Sequence, residues 1–331
     1  MADLQRSIAM EFVRVTEAAA LRASRWLGNG NKELVDQAAS DAMRGMLDLI
    51  SIKGRVIIGE GEKDHAPMLY IDEKVGNWVQ ASPEVDIAVD PVDGTRLVAN
   101  GLGNALSVVA VGEQGSLLPV PSFYMHKLAC GPELKGKLDI NVSARENLKV
   151  AAAVLNKDVK DLTIMILDRE RHRNLIDEVR SAGARIKLIT DGDVAGAIAT
   201  VLNDIDIYIG IGGAPEGVLA AAALRCLGGE IQTKFFAMND TEKEKVAKAG
   251  YKIDKVYYTE DLAKGEEIIF SATGITGGEF LEGVVFGSNR TAVTHSVVMR
   301  AKYRTIRYVK AVHNLNYKTI PSRARNAEEK V

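Results

Sequence analysis

The stretch Asp86-Ile-Ala-Val-Asp-Pro-Val-Asp-Gly-Thr95 constrains the fold of this chain more than any other. Ile87, Ala88 and Val89 form the apolar run of a buried strand. Pro91 has no N–H to give to a ladder, so the strand is expected to end there. Gly94 adds backbone freedom that other residues lack. A hydrophobic strand thus delivers two carboxylates, Asp90 and Asp93, and the Thr95 hydroxyl to its end. Hard oxygen donors at such close quarters suit Mg²⁺ or Mn²⁺ better than zinc. An acidic turn after a strand, common in α/β proteins, accounts for the same spacing without a metal.

Upstream, Ile8, Phe12, Val15 and Ala19 recur at helical spacing and predict a helix over 4–26, stopped by the Gly-Asn-Gly-Asn run at 28–31. A second helix is expected at about 32–50 with Ala39, Met43, Met46 and Ile50 as its apolar stripe. Three residues before that stripe stands Asp36. A carboxylate in register with a buried face is costly unless paired or metal-bound; a first-turn Asp favoured by the helix dipole is the equally good alternative. Gly54–Ile58 reads as a strand running into Gly59-Glu60-Gly61, where glycines on both sides let the backbone turn closely around Glu60. Glu62 and Asp64 are weaker candidates than Glu60, and either reads as a solvated turn charge. A further buried strand is expected over 104–111.

From residue 150 the pattern alternates strand and helix. Strands are expected at 163–167, 185–189, 205–209 and 230–234, and helices near 170–182, 193–203 and 216–227, with Gly183, Asn203 and Gly228 as stops. Ligands in such units gather at the carboxyl ends of strands. There stand Arg169 and Arg171, Asp191-Gly192-Asp193, and Gly212-Gly213-Ala-Pro-Glu216. Gly210, Gly212 and Gly213 read as a tight turn with exposed N–H groups before a helix, an anion site. Glu216 is itself an anion, and a metal ion between it and a phosphate would reconcile the two. The glycines are spaced differently from a dinucleotide fingerprint. Residues 239–250 read as a solvated helix, 268–272 as a strand and 292–311 as a strand pair.

The chain has 331 residues, which favours two lobes. A net charge of −2 leaves no footprint for nucleic acid or an anionic membrane. No apolar run approaches a membrane span, and the N-terminus lacks the apolar core of a signal peptide. Cys130 and Cys226 suit a reducing compartment, and a cytoplasmic location is expected. The five histidines show no metal-ligand spacing; His172 is the one near a motif.

Taken together, DPVDGT, GEGEKDHAPMLYI at 59–71, PSFYMHKL at 121–128, RERH at 169–172, DGDVAGAI at 191–198, GIGGAPEGV at 210–218 and FSATGIT at 270–276 resemble the class II fructose-1,6-bisphosphatases of bacteria, within the lithium-sensitive sugar phosphatase superfamily. The resemblance runs from about residue 6 to about 315. It implies an α/β fold, a layered α-β-α-β-α sandwich in two lobes: 1–150 as an N-terminal metal-binding α+β lobe and 151–317 as a C-terminal α/β lobe. The active site would lie in the cleft, and 318–331 would be a disordered tail. It also implies Asp36, Glu60, Asp90, Asp93 and Glu216 as ligands of two or more Mn²⁺ or Mg²⁺ ions. Asp93, Thr95 and Glu216 would be catalytic. Asp93, Gly94, Thr95, Tyr124, Arg169, Glu170, Arg171, Asp191, Gly192, Asp193 and Gly213 would contact the sugar bisphosphate. The implied reaction is hydrolysis of the C1 phosphate of fructose 1,6-bisphosphate by a homo-oligomer. Many relatives carry Glu where this chain has Asp93, which leaves sedoheptulose 1,7-bisphosphate or an inositol phosphate as alternative substrates.

Overall fold

The computed structural model describes residues 4–61, 68–321 and 329–330. The chain divides into two compact units, Met1–Leu117 with Gly265–Val331, and Leu118–Lys264.

The first unit opens with α1 (Leu4–Ala23) and α2 (Lys32–Leu47). The Asn31 side chain caps α2 by accepting from the Leu34 N–H at 3.1 Å. Phe12, Val15, Ala19, Ala39 and Met43 are buried as their spacing predicts, and both helices share one core with the strands that follow. These are β1 (Lys53–Ile58), β2 (Lys74–Val75), β3 (Glu84–Asp93) and, after the short helix α3 (Thr95–Ala99), β4 (Leu106–Glu113). β3 runs parallel to β1 and antiparallel to β4. It does not end at Pro91. The ladder to β4 shifts register between Asp90 and Asp93 and resumes with Asp93 opposite Leu106. The missing N–H of proline therefore breaks the ladder locally, while the backbone stays extended. The buried Arg44 of α2 donates to Glu73 at 2.6 Å and to the Lys74 carbonyl at 3.1 Å, tying α2 to the segment before β2.

The second unit contains β5 (Tyr124–Cys130), α4 (Ala144–Leu155), β6 (Thr163–Leu167), α5 (Arg173–Ala182), β7 (Arg185–Ile189), α6 (Asp193–Leu202), β8 (Ile207–Gly213), α7 (Ala214–Leu227), β9 (Glu230–Phe236), α8 (Asp240–Lys248), β10 (Tyr257–Tyr258) and α9 (Thr259–Leu262). Its sheet has the order β10-β9-β5-β8-β6-β7. β6 is parallel to β7 and β8, as alternating strand and helix require, and β5 lies antiparallel between β8 and β9. Gly183 and Gly228 end α5 and α7 in left-handed conformations. The expected boundary at 150 instead falls inside α4. β5 belongs to the second sheet because Leu128 and Cys130 complete the core formed by α4, Ile164, Ile166 and Ile207.

The chain then returns to the first unit as β11 (Ile269–Gly274), β12 (Val285–Gly287), β13 (Thr291–Arg300) and β14 (Thr305–Asn314). β11 fills the place between β4 and β13, and β14 pairs with β13 over its full length. A buried hydroxyl cluster joins α1 to these strands: Thr273 donates to Thr16 at 2.7 Å and lies 2.8 Å from Ser296. Of the expected disordered tail, Thr319–Ile320 pairs with Glu329–Lys330, and most of the remainder lies outside the described residues. Two mixed sheets with helices thus make up an α/β protein. No helix among the described residues is long and apolar enough to cross a membrane.

Candidate active site

In the first unit the carboxyl end of β3 and the body of α2 meet. Asp90 accepts from the Val92 N–H at 3.0 Å, which folds the backbone across Pro91. Asp93 follows, buried at the last position of the strand. Gly94 then adopts φ +99°, a left-handed turn that starts α3, and a Cβ there would sit 2.8 Å from Leu97 Cδ1. This turn presents Thr95, whose hydroxyl donates to Asp36 Oδ1 at 2.7 Å. Asp36 is half-buried on α2. Its carboxyl is pushed up, first by desolvation and secondarily by the charge of Glu33, against the lowering effect of the Thr95 bond.

Glu60 stands one turn beyond β1. Its N–H donates to the Leu69 carbonyl at 2.9 Å, and a Cβ on Gly59 would fall 2.0 Å from that same oxygen, so only glycine permits the approach. Desolvation first, then the charge of Asp36, raises the Glu60 carboxyl to about 7. The residue as a whole remains exposed. Glu62 and Asp64 lie outside the described residues.

In the second unit the candidates collect at one end of the sheet. Tyr124 begins β5 with its ring exposed, and the Arg171 guanidinium carbon lies 5.2 Å from the ring centroid. Arg171 also donates twice to the Ile211 carbonyl, at 3.1 and 2.7 Å. Arg169 reaches Asp191 at 3.7 Å, and Glu170 is exposed and paired with Arg173. Gly192, at φ +84°, starts α6 and sets Asp193 at its first turn. Asp193 is buried and paired at 2.5 Å with Lys127 of β5, which is itself only 1% exposed.

The glycine stretch corrects the expectation of a tight turn. Gly210, Gly212 and Gly213 are the last part of strand β8, each opposite a residue of β5. Their lack of side chains makes room for polar groups. A Cβ on Gly210 would meet the His172 ring at 3.2 Å, one on Gly212 Asp193 Oδ2 at 2.1 Å, and one on Gly213 Glu216 Oε2 at 2.1 Å. Glu216 lies in the first turn of α7, and its Oε2 is buried without a hydrogen-bond partner among the described residues. Desolvation, then the charge of Asp193, raises its carboxyl, while Lys127 acts the other way. His172 proves structural: Ile211 N–H donates to Nε2 at 2.7 Å, so Nδ1 carries the proton and donates to the Leu167 carbonyl at 2.8 Å.

A donor set of carboxylates, three of them raised by burial and then by like-charge neighbours, fits a hard divalent cation in kind. Among the described residues, no three His, Cys, Asp or Glu side chains are gathered closely enough to hold a metal by themselves.

The family model described as bacterial fructose-1,6-bisphosphatase, glpX-encoded, matches residues 6–313. The chain belongs to this fructose-1,6-bisphosphatase family. A class 2 fructose-1,6-bisphosphatase of Haemophilus influenzae is 44% identical over 328 residues, covering 95% of this chain and 98% of its own length. Proteins of Synechococcus sp. and Microcystis aeruginosa, each named D-fructose 1,6-bisphosphatase class 2/sedoheptulose 1,7-bisphosphatase, are 42% and 43% identical. They cover 94% of this chain in both cases, and 96% and 97% of their own lengths. In this member of the fructose-1,6-bisphosphatase family, sequence reasoning missed Lys127. The signal was there: on β5, Met125, Lys127 and Ala129 share one face, and a lysine between apolar neighbours on a buried strand needs a charged partner.

Proposed function

We propose that this chain is a divalent-metal-dependent phosphatase that hydrolyses the C1 phosphate of fructose 1,6-bisphosphate to give fructose 6-phosphate and phosphate. Family membership over nearly the whole chain supports this reading, and the Thr95–Asp36 hydrogen bond of 2.7 Å is the observation that carries it to the residues. Asp36, Glu60, Asp90, Asp93 and Glu216 would hold two or more Mn²⁺ or Mg²⁺ ions. When bound, such ions neutralise phosphate charge and lower the pKa of water.

The protein's own groups do the rest. Thr95 spends its proton on Asp36, so its oxygen lone pairs remain to accept from an attacking water. A water proton lost to Thr95 can pass on to Asp36. The planar guanidinium groups of Arg169 and Arg171 suit the anionic oxygens of a phosphate, and Tyr124, held against Arg171, offers a ring and a hydroxyl to the sugar. Gly213 has no Cβ and allows Glu216 to fold back over the start of α7. Gly94 turns the chain before α3, and Asp191 and Gly192 stand in the turn before α6. We assign Glu170 an outer position, and Asp193 a role through Lys127 rather than at a sugar hydroxyl. A cytoplasmic homo-oligomer is part of this proposal.

Sedoheptulose 1,7-bisphosphate is the second substrate to consider, because two of the relatives carry that activity in their names. Phosphate release from fructose 1,6-bisphosphate, sedoheptulose 1,7-bisphosphate and myo-inositol 1-phosphate, each with Mn²⁺ or Mg²⁺, separates the readings. A clear preference for the inositol phosphate would contradict the proposal.

A further inference from the structure

The second unit contains a cavity of about 480 Å³ whose walls include His126, Asn141, Lys234, Phe236, Lys243 and Ile253. None of these belongs to the candidate catalytic set. The volume is that of a small-molecule site. β5 and β9 form part of its lining: His126 and Lys234 are cross-strand partners, and the His126 and Phe236 rings meet edge to face at 5.0 Å. Lys243 comes from α8.

The lining has two chemical halves. Phe236 and Ile253 offer apolar surface, while Lys234 and Lys243 offer two ammonium groups beside the one carboxylate of Asp254. Among the described residues, neither lysine is held by a buried partner. Lys234 meets Asp254 at 3.8 Å, and Asp254 is 91% exposed; Lys243 meets Asp240 at 3.0 Å, also at the surface. Exposed pairs of this kind hold only weakly, so an incoming anion can displace the carboxylates. Burial and the neighbouring Lys234 lower the His126 pKa, which keeps the imidazole neutral and able to donate a hydrogen bond.

We propose that this cavity is a second ligand site that takes a small phosphate monoester or phosphonate bearing an apolar ring, with its anionic group at Lys234 and Lys243 and its ring against Phe236. Tyr124, the candidate substrate tyrosine, is the cross-strand partner of Phe236 and shares the His126 face of β5. The proposal does not rest on the reaction assigned above.

Benzylphosphonate, which a phosphatase cannot hydrolyse, is the probe, titrated calorimetrically into the full chain in EDTA. Wild type should bind it more tightly than inorganic phosphate or benzyl alcohol. Lys234→Gln/Lys243→Gln should weaken binding at least tenfold and leave kcat for fructose 1,6-bisphosphate within about twofold. Arg171→Gln should leave benzylphosphonate binding in place. Lys243→Gln alone, on the exposed face of α8, should weaken binding severalfold and serves if the double variant melts early. No binding by wild type, equal binding by the lysine variants, or equal affinity for inorganic phosphate overturns the proposal. Loss of binding in Arg171→Gln but not in the lysine variants places the probe at the substrate residues and overturns it too. So does loss of turnover in a folded lysine variant, which makes the cavity part of the catalytic machinery.

Discussion

Thr95 shows how one side chain can be committed by its neighbours. Its position depends on Gly94, which turns the chain left-handed, and its hydroxyl proton is given to Asp36. Thr95→Val removes the hydroxyl at nearly constant volume. It is expected to lower kcat at least a hundredfold, about 2.7 kcal/mol of barrier, and to change the melting temperature little, while Thr95→Ser retains most activity. Steady-state phosphate release and thermal melts of the three proteins check this. Glu216 gives a second prediction. In wild type, a divalent ion at a hundredfold excess over its Kd should add roughly 2.7 kcal/mol of stability. Glu216→Gln should shrink that metal-induced rise in melting temperature, and its melt without metal should be unchanged or slightly higher, because a buried carboxylate beside Asp193 is gone. An unchanged metal-induced rise would leave Glu216 as a helix-start charge. At this scale the sequence was informative about residue type. Asp36, Asp90, Asp93 and Thr95 stand out as polar groups at the edges of apolar patterns. The partner of a side chain is not written locally: the β5 pattern shows that Lys127 needs a charged partner, but not that the partner is Asp193.

Among the elements, β8 is the one whose sequence misleads. Three glycines in four residues look like a turn, yet the strand needs them because Asp193, His172 and Glu216 occupy the space that side chains would fill. Gly212→Ala should therefore cost about 1–3 kcal/mol through overpacking against the Lys127–Asp193 pair, measured by denaturant unfolding; a neutral effect would mean that the pair moves aside freely. The β13–β14 hairpin holds a buried polar group of another kind. Thr294 donates to Glu17 at 3.2 Å and so accepts from His313 Nε2 at 2.8 Å, which leaves Nδ1 to accept from Lys318 at 3.2 Å. Protonating Nδ1 would set an N–H against an ammonium. Burial first, then Lys318, lowers the His313 pKa from 6.5 to about 4. Because the folded-state value is depressed, this contribution to stability is complete above about 6.5 and is lost as pH falls through about 4. Glu17, raised by burial, acts in the opposite sense: its contribution is present below the usual carboxylate range and is lost as pH rises. His313→Gln isolates the histidine, and its melting temperature should fall less steeply than that of wild type between these two values. Parallel pH profiles would show that His313 does not titrate differently on folding.

For the whole molecule, local patterns located nearly every long element but not the division of the chain. The strand–helix alternation after residue 150 is real, yet β5 joins that sheet from earlier in the sequence, and β11 to β14 return to complete the first. Sheet partnership is a long-range property. β11 finds its place between β4 and β13 through buried faces and hydroxyl contacts with α1 that no window of neighbouring residues can contain. Both sheets bring their polar residues to strand ends and helix starts, which is why the candidate residues could be named before their surroundings were known. The role proposed for these residues is metal-dependent removal of the C1 phosphate from fructose 1,6-bisphosphate. The direct measurement is ³¹P NMR of that substrate with protein dialysed against EDTA, followed by addition of Mn²⁺ or Mg²⁺. The expected result is no turnover until metal is added, then inorganic phosphate with fructose 6-phosphate as the sole sugar product. Turnover in excess EDTA, fructose 1-phosphate as the product, or a silent enzyme with both metals would contradict it.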